Sequence, residues 1–155
     1  MNRLFIDCEF NGHLGELISL AIAAPDGKHW YGYWGEPAPV DPWVKEHVMP
    51  YITIPHIPSN LSPTSVIAIP DRKLFRASLY EYLLYRSGSI VYADWPGDFA
   101  HLMRVMEGPS YEQSWIVDIG MQLLAESDPK PEVPHNALSD AIALMHWHAA
   151  HGGGA

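Results

Sequence analysis

The sequence predicts an α/β fold: a mixed sheet, antiparallel at first and parallel later, flanked by helices. Two observations carry that expectation. Residues 4–10, 16–24 and 29–34 are short apolar runs separated by compact turn chemistry, the signature of an antiparallel meander. Beyond residue 70, strand-like and helix-like stretches alternate, as they do when strands are added in parallel through helical crossovers.

The first run, Leu4-Phe5-Ile6-Asp7-Cys8-Glu9-Phe10, opens the fold as a strand. Asn11-Gly12-His13 supplies one turn and Pro25-Asp26-Gly27-Lys28 the next, where Pro presets φ and Gly permits φ > 0. Residues 35–70 are rich in proline, which fits a loop or lid with one short helix over 42–48 and otherwise irregular chain. From 71 or 72 to 86 the pattern is helical, with Leu74, Phe75, Leu79, Tyr82 and Leu83 on one face, and Gly88 ends it. Residues 89–93 read as a strand, 98–106 as a helix, 114–117 as a further strand and 119–125 as a short helix. A proline-rich connector over 129–134 leads to Asn136, a fitting N-cap for a last helix reaching 151. The expectation is a single domain over 1–151 and a frayed tail over 152–155.

Composition narrows the function classes. At 48% apolar residues the chain is not of disordered type. Its single cysteine, Cys8, excludes an intrachain disulfide and a cysteine-based zinc cluster, and fits a reducing cytosol. The first residues lack the apolar core of a secretory signal, and no apolar run approaches a membrane span. A cytoplasmic protein without a membrane partner is expected. The net charge of −9 argues against nucleic-acid binding, unless several of the acids hold divalent cations and so invert the local field.

Three clusters carry candidate chemistry. Asp7 and Glu9 are two apart in a strand and so share one face, while Leu4, Ile6 and Cys8 turn to the other. Side-by-side carboxylates repel, and a hard cation such as Mg²⁺ or Mn²⁺ relieves the repulsion. A strand end with two solvated acids has the same sequence, and so short a pattern is common. The second cluster is Asp94-Trp95-Pro96-Gly97-Asp98, between a strand and a helix, where either acid serves as ligand or simply as cap. The third is His135-Asn136-Ala137-Leu138-Ser139-Asp140, with an acid in the first turn of the last helix and a histidine just before it. A histidine there has the pKa range of a general base, and a loop histidine without function fits equally.

The order of the three clusters resembles the DEDDh 3′-5′ exonuclease superfamily. Phe5-Ile6-Asp7-Cys8-Glu9-Phe10 is similar to its first motif, Gly97-Asp98-Phe99-Ala100-His101-Leu102 to its second, and His135 to Asp140 to its third. The likeness spans about residues 3–148 and is greatest to the small RNase AS-like exoribonucleases. It implies a ribonuclease H-like fold and catalytic roles for Asp7, Glu9, Asp98, His135 and Asp140. It implies that two Mg²⁺ or Mn²⁺ ions are held by Asp7, Glu9, Asp98 and Asp140, with His135 as base. The implied partner is the 3′ end of single-stranded RNA and the implied product a nucleoside 5′-monophosphate. The likeness also implies a homodimer, for which the aromatic stretch 31–51 offers a contact. Many members carry an asparagine where Asp94 stands, so Asp94 and Asp98 compete for the second-motif role. Asp98 is assigned it on its distance from Leu102. Phe10, His13, Leu14, Asp94 and Trp95 lie beside the motifs and are read as substrate-binding. A DNA-directed exonuclease, a ribonuclease H-like binding module without catalysis and an aromatic-surfaced interaction protein remain alternatives.

Overall fold

The computed structural model of the chain describes residues 2–13, 15–52, 65–68, 71–107 and 117–152, the segment 65–68 by its backbone alone. The strands are β1 (Arg3–Phe10), β2 (Leu17–Ala23), β3 (Trp30–Tyr33), β4 (Ser65–Ala68), β5 (Ser89–Ala93) and β6 (Ile119–Leu123). The helices are α1 (Pro42–His47), α2 (Met49–Ile52), α3 (Arg72–Leu84), α4 (Pro96–Glu107) and α5 (Ala137–Ala150). Among the described residues, six strands form one sheet in the order β4–β3–β2–β1–β5–β6. β1, β2 and β3 are the expected antiparallel meander, while β4, β5 and β6 join in parallel.

The period-two alternation of β1 organises both faces of the sheet. Leu4, Ile6 and Cys8 point into one core layer with Phe75, Leu79 and Leu83 of α3 and Leu102, Val105 and Met106 of α4. Phe5 points into the other, against Ala137, Leu138 and Ala141 of α5. Asp7 and Glu9 continue the Phe5 face, so they emerge where α5 begins. α5 comes close to the sheet because Ala137 and Ala141 meet Ala21 and Ala23 of β2, all four fully buried. Its start is fixed by Asn136, whose Oδ1 accepts from the Ser139 N–H at 3.1 Å and whose Nδ2 donates to the Tyr51 carbonyl at 2.9 Å.

Several expectations need correction. Residues 119–125 are not a helix: 119–123 form β6, paired in parallel with β5. Helix-forming Met121, Gln122 and Leu123 are overridden by the open edge of β5, whose backbone groups require partners, and Gly120 weakens a helix there. Of the strand expected over 114–117, Val117 lies outside any strand and the rest falls outside the described residues, as does the tail over 153–155. The proline-rich middle is not all irregular beyond its helices, since 65–68 add a strand beside β3. On α3, Leu74 is 54% exposed, and Arg76 takes a place in the buried face instead. Arg76 is tolerated there because its guanidinium donates to the Val105 and Met106 carbonyls (2.7 and 3.3 Å), which the end of α4 leaves free. α4 begins two residues earlier than expected, with Pro96 in the first helical position, where its missing N–H costs nothing.

The close seating of α5 generates a prediction. Ala141→Leu forces methylenes between helix and sheet and is expected to cost about 1–3 kcal/mol of stability. Urea unfolding checks this, and wild-type stability in that variant would contradict the packing described.

Candidate active site

β1 runs past its parallel neighbour. β5 pairs with it only over Arg3, Leu4 and Phe5, so the backbone of β1 beyond Phe5 has no strand on that side. The first turn of α4 closes the gap: Asp98 Oδ1 accepts the Cys8 N–H at 3.1 Å. That bond pins a carboxylate, 1% exposed, beside Asp7. Its other oxygen, Oδ2, is buried with no hydrogen-bond partner. On the opposite face, Asp140 reaches back from the first turn of α5 and accepts the Asn136 N–H at 3.0 Å. It also accepts the backbone N–H of His135. The Asn136 side chain caps the Ser139 N–H while the Asp140 carboxylate caps the Asn136 N–H, so two side chains share the helix start.

These local devices bring the acids together. One oxygen each of Asp7, Glu9 and Asp140 lie within 4.8 Å of one another. One oxygen each of Asp7, Asp94 and Asp98 do the same. Asp7 belongs to both groups. Both Asp94 and Asp98, the two candidates for the second-motif acid, stand beside Asp7.

Electrostatics follow from that crowding. Burial, and next the Asp98 charge, raise the Asp7 carboxyl well above the usual range. Burial and the neighbouring Asp140 push Glu9 up to about 8. Burial and Asp94 push Asp98 up to about 8, against the opposing pull of the Cys8 N–H. Asp140 is raised by burial to about 7, and burial raises Asp94 too. The donor set is oxygen only, shared around one carboxylate, and includes an orphaned buried oxygen. It fits hard divalent cations, which replace mutual repulsion by attraction.

His135 lines the same cleft with φ 61°, a left-handed conformation that costs a non-glycine residue energy. Its ring stands edge-on to Trp43 at 5.1 Å. Burial, then the nearby His47, hold its pKa below the ordinary histidine value, which favours the neutral imidazole. Trp43 is carried by α1, N-capped by Asp41, and the Asp41 N–H donates to Asn11 Oδ1 at 2.7 Å. The residues just after the first acidic pair therefore fix the helix that contacts His135. Sequence reading missed Trp43 and His47, because nothing in their spacing links them to a motif almost ninety residues away.

The acids, His135, Phe10 and Trp95 line a cleft of about 430 Å³. Ser127, Asp128, Pro129 and Pro131 also line it, the last two from the stretch 129–134 expected to be only a connector. His13 does not line this cleft but an adjoining hollow, and Leu14 lies outside the described residues. In the aromatic stretch 31–51, Tyr31 is core at 2% exposure, while Trp43 and Tyr51 are exposed. A larger hollow of about 600 Å³ beside Arg3, Lys28 and Arg86 lies at the opposite end of β1. It is partly neutralised by the ion pair of Arg86 with Asp26 at 3.1 Å.

A mixed sheet in this order, with acids gathered at one end of its central strand, is ribonuclease H-like architecture. Comparison with known proteins takes this further. The 3′-5′ exoribonuclease Rv2179c of Mycobacterium tuberculosis (strain H37Rv) is 32% identical to the chain over 158 residues, covering 90% of the chain and 86% of the relative. The 3′-5′ exoribonuclease MT2234.1 of strain CDC 1551 matches with the same identity and coverage. The chain belongs to the family of these 3′-5′ exoribonucleases. No protein-family model matches it.

The raised carboxyls give a pH prediction with an unusual sign. An unfolded carboxyl ionises near pH 4, whereas Glu9 and Asp98 hold their protons to about 8 when folded. Between those values the folded state binds more protons, so stability falls as pH rises. In chelator, the melting temperature is expected to fall across that window. Mg²⁺ or Mn²⁺ should restore it, more at the alkaline end. Thermal unfolding with and without the ion measures this, and an ion effect equal at both ends would refute it.

Proposed function

We propose that the chain is a DEDDh 3′-5′ exoribonuclease of the RNase AS-like branch. It hydrolyses single-stranded RNA from the 3′ end and releases nucleoside 5′-monophosphates. The observation that carries this reading is the membership of Asp7 in two separate acidic groups, the arrangement a pair of divalent ions requires. Family membership supplies the class of substrate.

In this reading Asp7, Glu9 and Asp140 would hold one ion, and Asp98 and Asp94 beside Asp7 would hold the other. When bound, Mg²⁺ or Mn²⁺ ions supply a nucleophile from water at neutral pH and charge stabilisation at the scissile phosphate. The protein's own part is to keep the acids in place, through the Cys8 N–H at Asp98 and the Asn136 N–H at Asp140. His135 is the base: its neutral ring accepts a proton from the attacking water, and its edge contact with Trp43 limits where the ring can turn. Phe10 and Trp95 line the acidic cleft and offer ring faces to bases of the strand. The exposed rings of Trp43 and Tyr51 offer the surface for a homodimer, which light scattering tests.

Asp7→Asn is expected to abolish hydrolysis of a 5′-labelled RNA oligonucleotide while the circular dichroism spectrum stays that of the wild type. His135→Ala should lower kcat by about 10²–10⁴. Full activity in either variant defeats its assignment. A matched DNA oligonucleotide should be cut more slowly than the RNA; faster cutting would make the enzyme a deoxyribonuclease.

A further inference from the structure

The acidic cleft does not end at Trp95. Phe10 and Trp95 also line an adjoining, largely apolar hollow of about 250 Å³ that extends along α4. Trp95 is 53% exposed, yet its position is built in. A Cβ at Gly97 would stand 2.8 Å from the indole ring, so the ring lies against the helix start only because residue 97 is glycine. Phe10 stacks on His101 with ring centres 4.8 Å apart, and His101 is 4% exposed. The floor is therefore a preformed aromatic surface, one face of it open to solvent.

Cations follow the same line. Arg104 is exposed three residues after His101, on the same side of α4, and among the described residues no acid pairs with it. Beyond it a second hollow, of about 210 Å³, shares His101 and Arg104 and reaches Trp34. The guanidinium of Arg72 lies over the Trp34 ring at 5.0 Å. Among the described residues, Glu16 is the one acid lining this second hollow. In a chain of net charge −9 with nine Lys and Arg, two arginines alternate here with aromatic rings. Aromatic faces that accept any base, interleaved with cations that meet the backbone, are what a single-stranded nucleic acid selects.

We propose that this groove seats the two nucleotides on the 5′ side of the scissile phosphate. The nearer base rests on Trp95 and Phe10, Arg104 meets the phosphate that follows, and the farther base lies toward Trp34. The inference rests on the exonuclease reading, because it takes the acidic cleft as the place where the 3′-terminal linkage is cut. It makes the enzyme one that prefers short single strands of at least three nucleotides to dinucleotides.

The test compares substrates that reach the groove with one that does not. The p-nitrophenyl ester of a nucleoside 5′-monophosphate has no upstream nucleotide. For the wild type, kcat/KM is expected to rise by roughly tenfold from di- to trinucleotide and then level off. Arg104→Glu should lower kcat/KM on the tetranucleotide by about tenfold, mostly through KM, and leave hydrolysis of the ester unchanged. Arg104→Lys should restore most of the loss. Gly97→Ala, which displaces the indole, should flatten the length dependence. Equal effects of Arg104→Glu on ester and tetranucleotide, or no effect on either, overturn the groove. If the wild type cuts neither substrate, the exonuclease reading has failed on its own. Fluorescence anisotropy of a labelled tetranucleotide then decides the groove: weaker binding by Arg104→Glu supports it, and unchanged binding ends it.

Discussion

Repulsion among carboxylates at Asp7 is the constraint around which the molecule is arranged. Asp7, Glu9, Asp94, Asp98 and Asp140 share one end of the sheet, largely shielded from water. Each would be far easier to ionise on an open surface. The fold nevertheless spends its local devices on holding them there: the first turn of α4 delivers Asp98, the capping arrangement of α5 delivers Asp140, and the pleat of β1 delivers Asp7 and Glu9 to one face. A structure that concentrates unfavourable charge in this way makes sense when cations are part of its working state.

The same strand that suffers the repulsion also unites the two halves of the sheet. β1 is antiparallel to β2 and parallel to β5, and it is longer than the stretch β5 can cover. The overhang creates the site. Where backbone groups of β1 run out of strand partners, side chains and helix starts take over, and these can carry chemistry that a ladder cannot. The strap from Asn11 through Asp41 to Trp43 then closes around His135 from the far side. Both flanks of the site are thus tied to residues adjacent to the first acidic pair.

What could be read from the sequence was what local periodicity encodes. The alternation in residues 4–10 foretold both the strand and the split between core and acids, and Asn136 foretold the start of α5. The strand period puts Asp7 and Glu9 on one face, but only the family resemblance implied Asp140 beside them, and nothing in the spacing puts Asp94 as well as Asp98 next to Asp7. Failures came where pairing across the sheet decides the outcome. Met121-Gln122-Leu123 has no strand character of its own and becomes β6 only because β5 offers an edge. Ser65-Val66-Ile67-Ala68 was lost among prolines for the same reason. Trp43, His47 and the wall at 127–131 reach the site through tertiary packing, which leaves no pattern along the chain.

The acidic balance that at first argues against a nucleic-acid partner is better read as a division of labour. Five of the eighteen acids are gathered at a point where divalent ions can neutralise them, so the net charge overstates the repulsion that a strand meets. Away from that point the hollows are lined by uncharged aromatic faces, with arginines placed singly among them. In the proposed reading, such a surface would bind weakly at any one nucleotide and let the strand advance after each cut, whereas a broad basic track would hold product as tightly as substrate. For an enzyme that removes one residue at a time, weak and repeated contact along a short groove suits turnover better than strong contact along a long one.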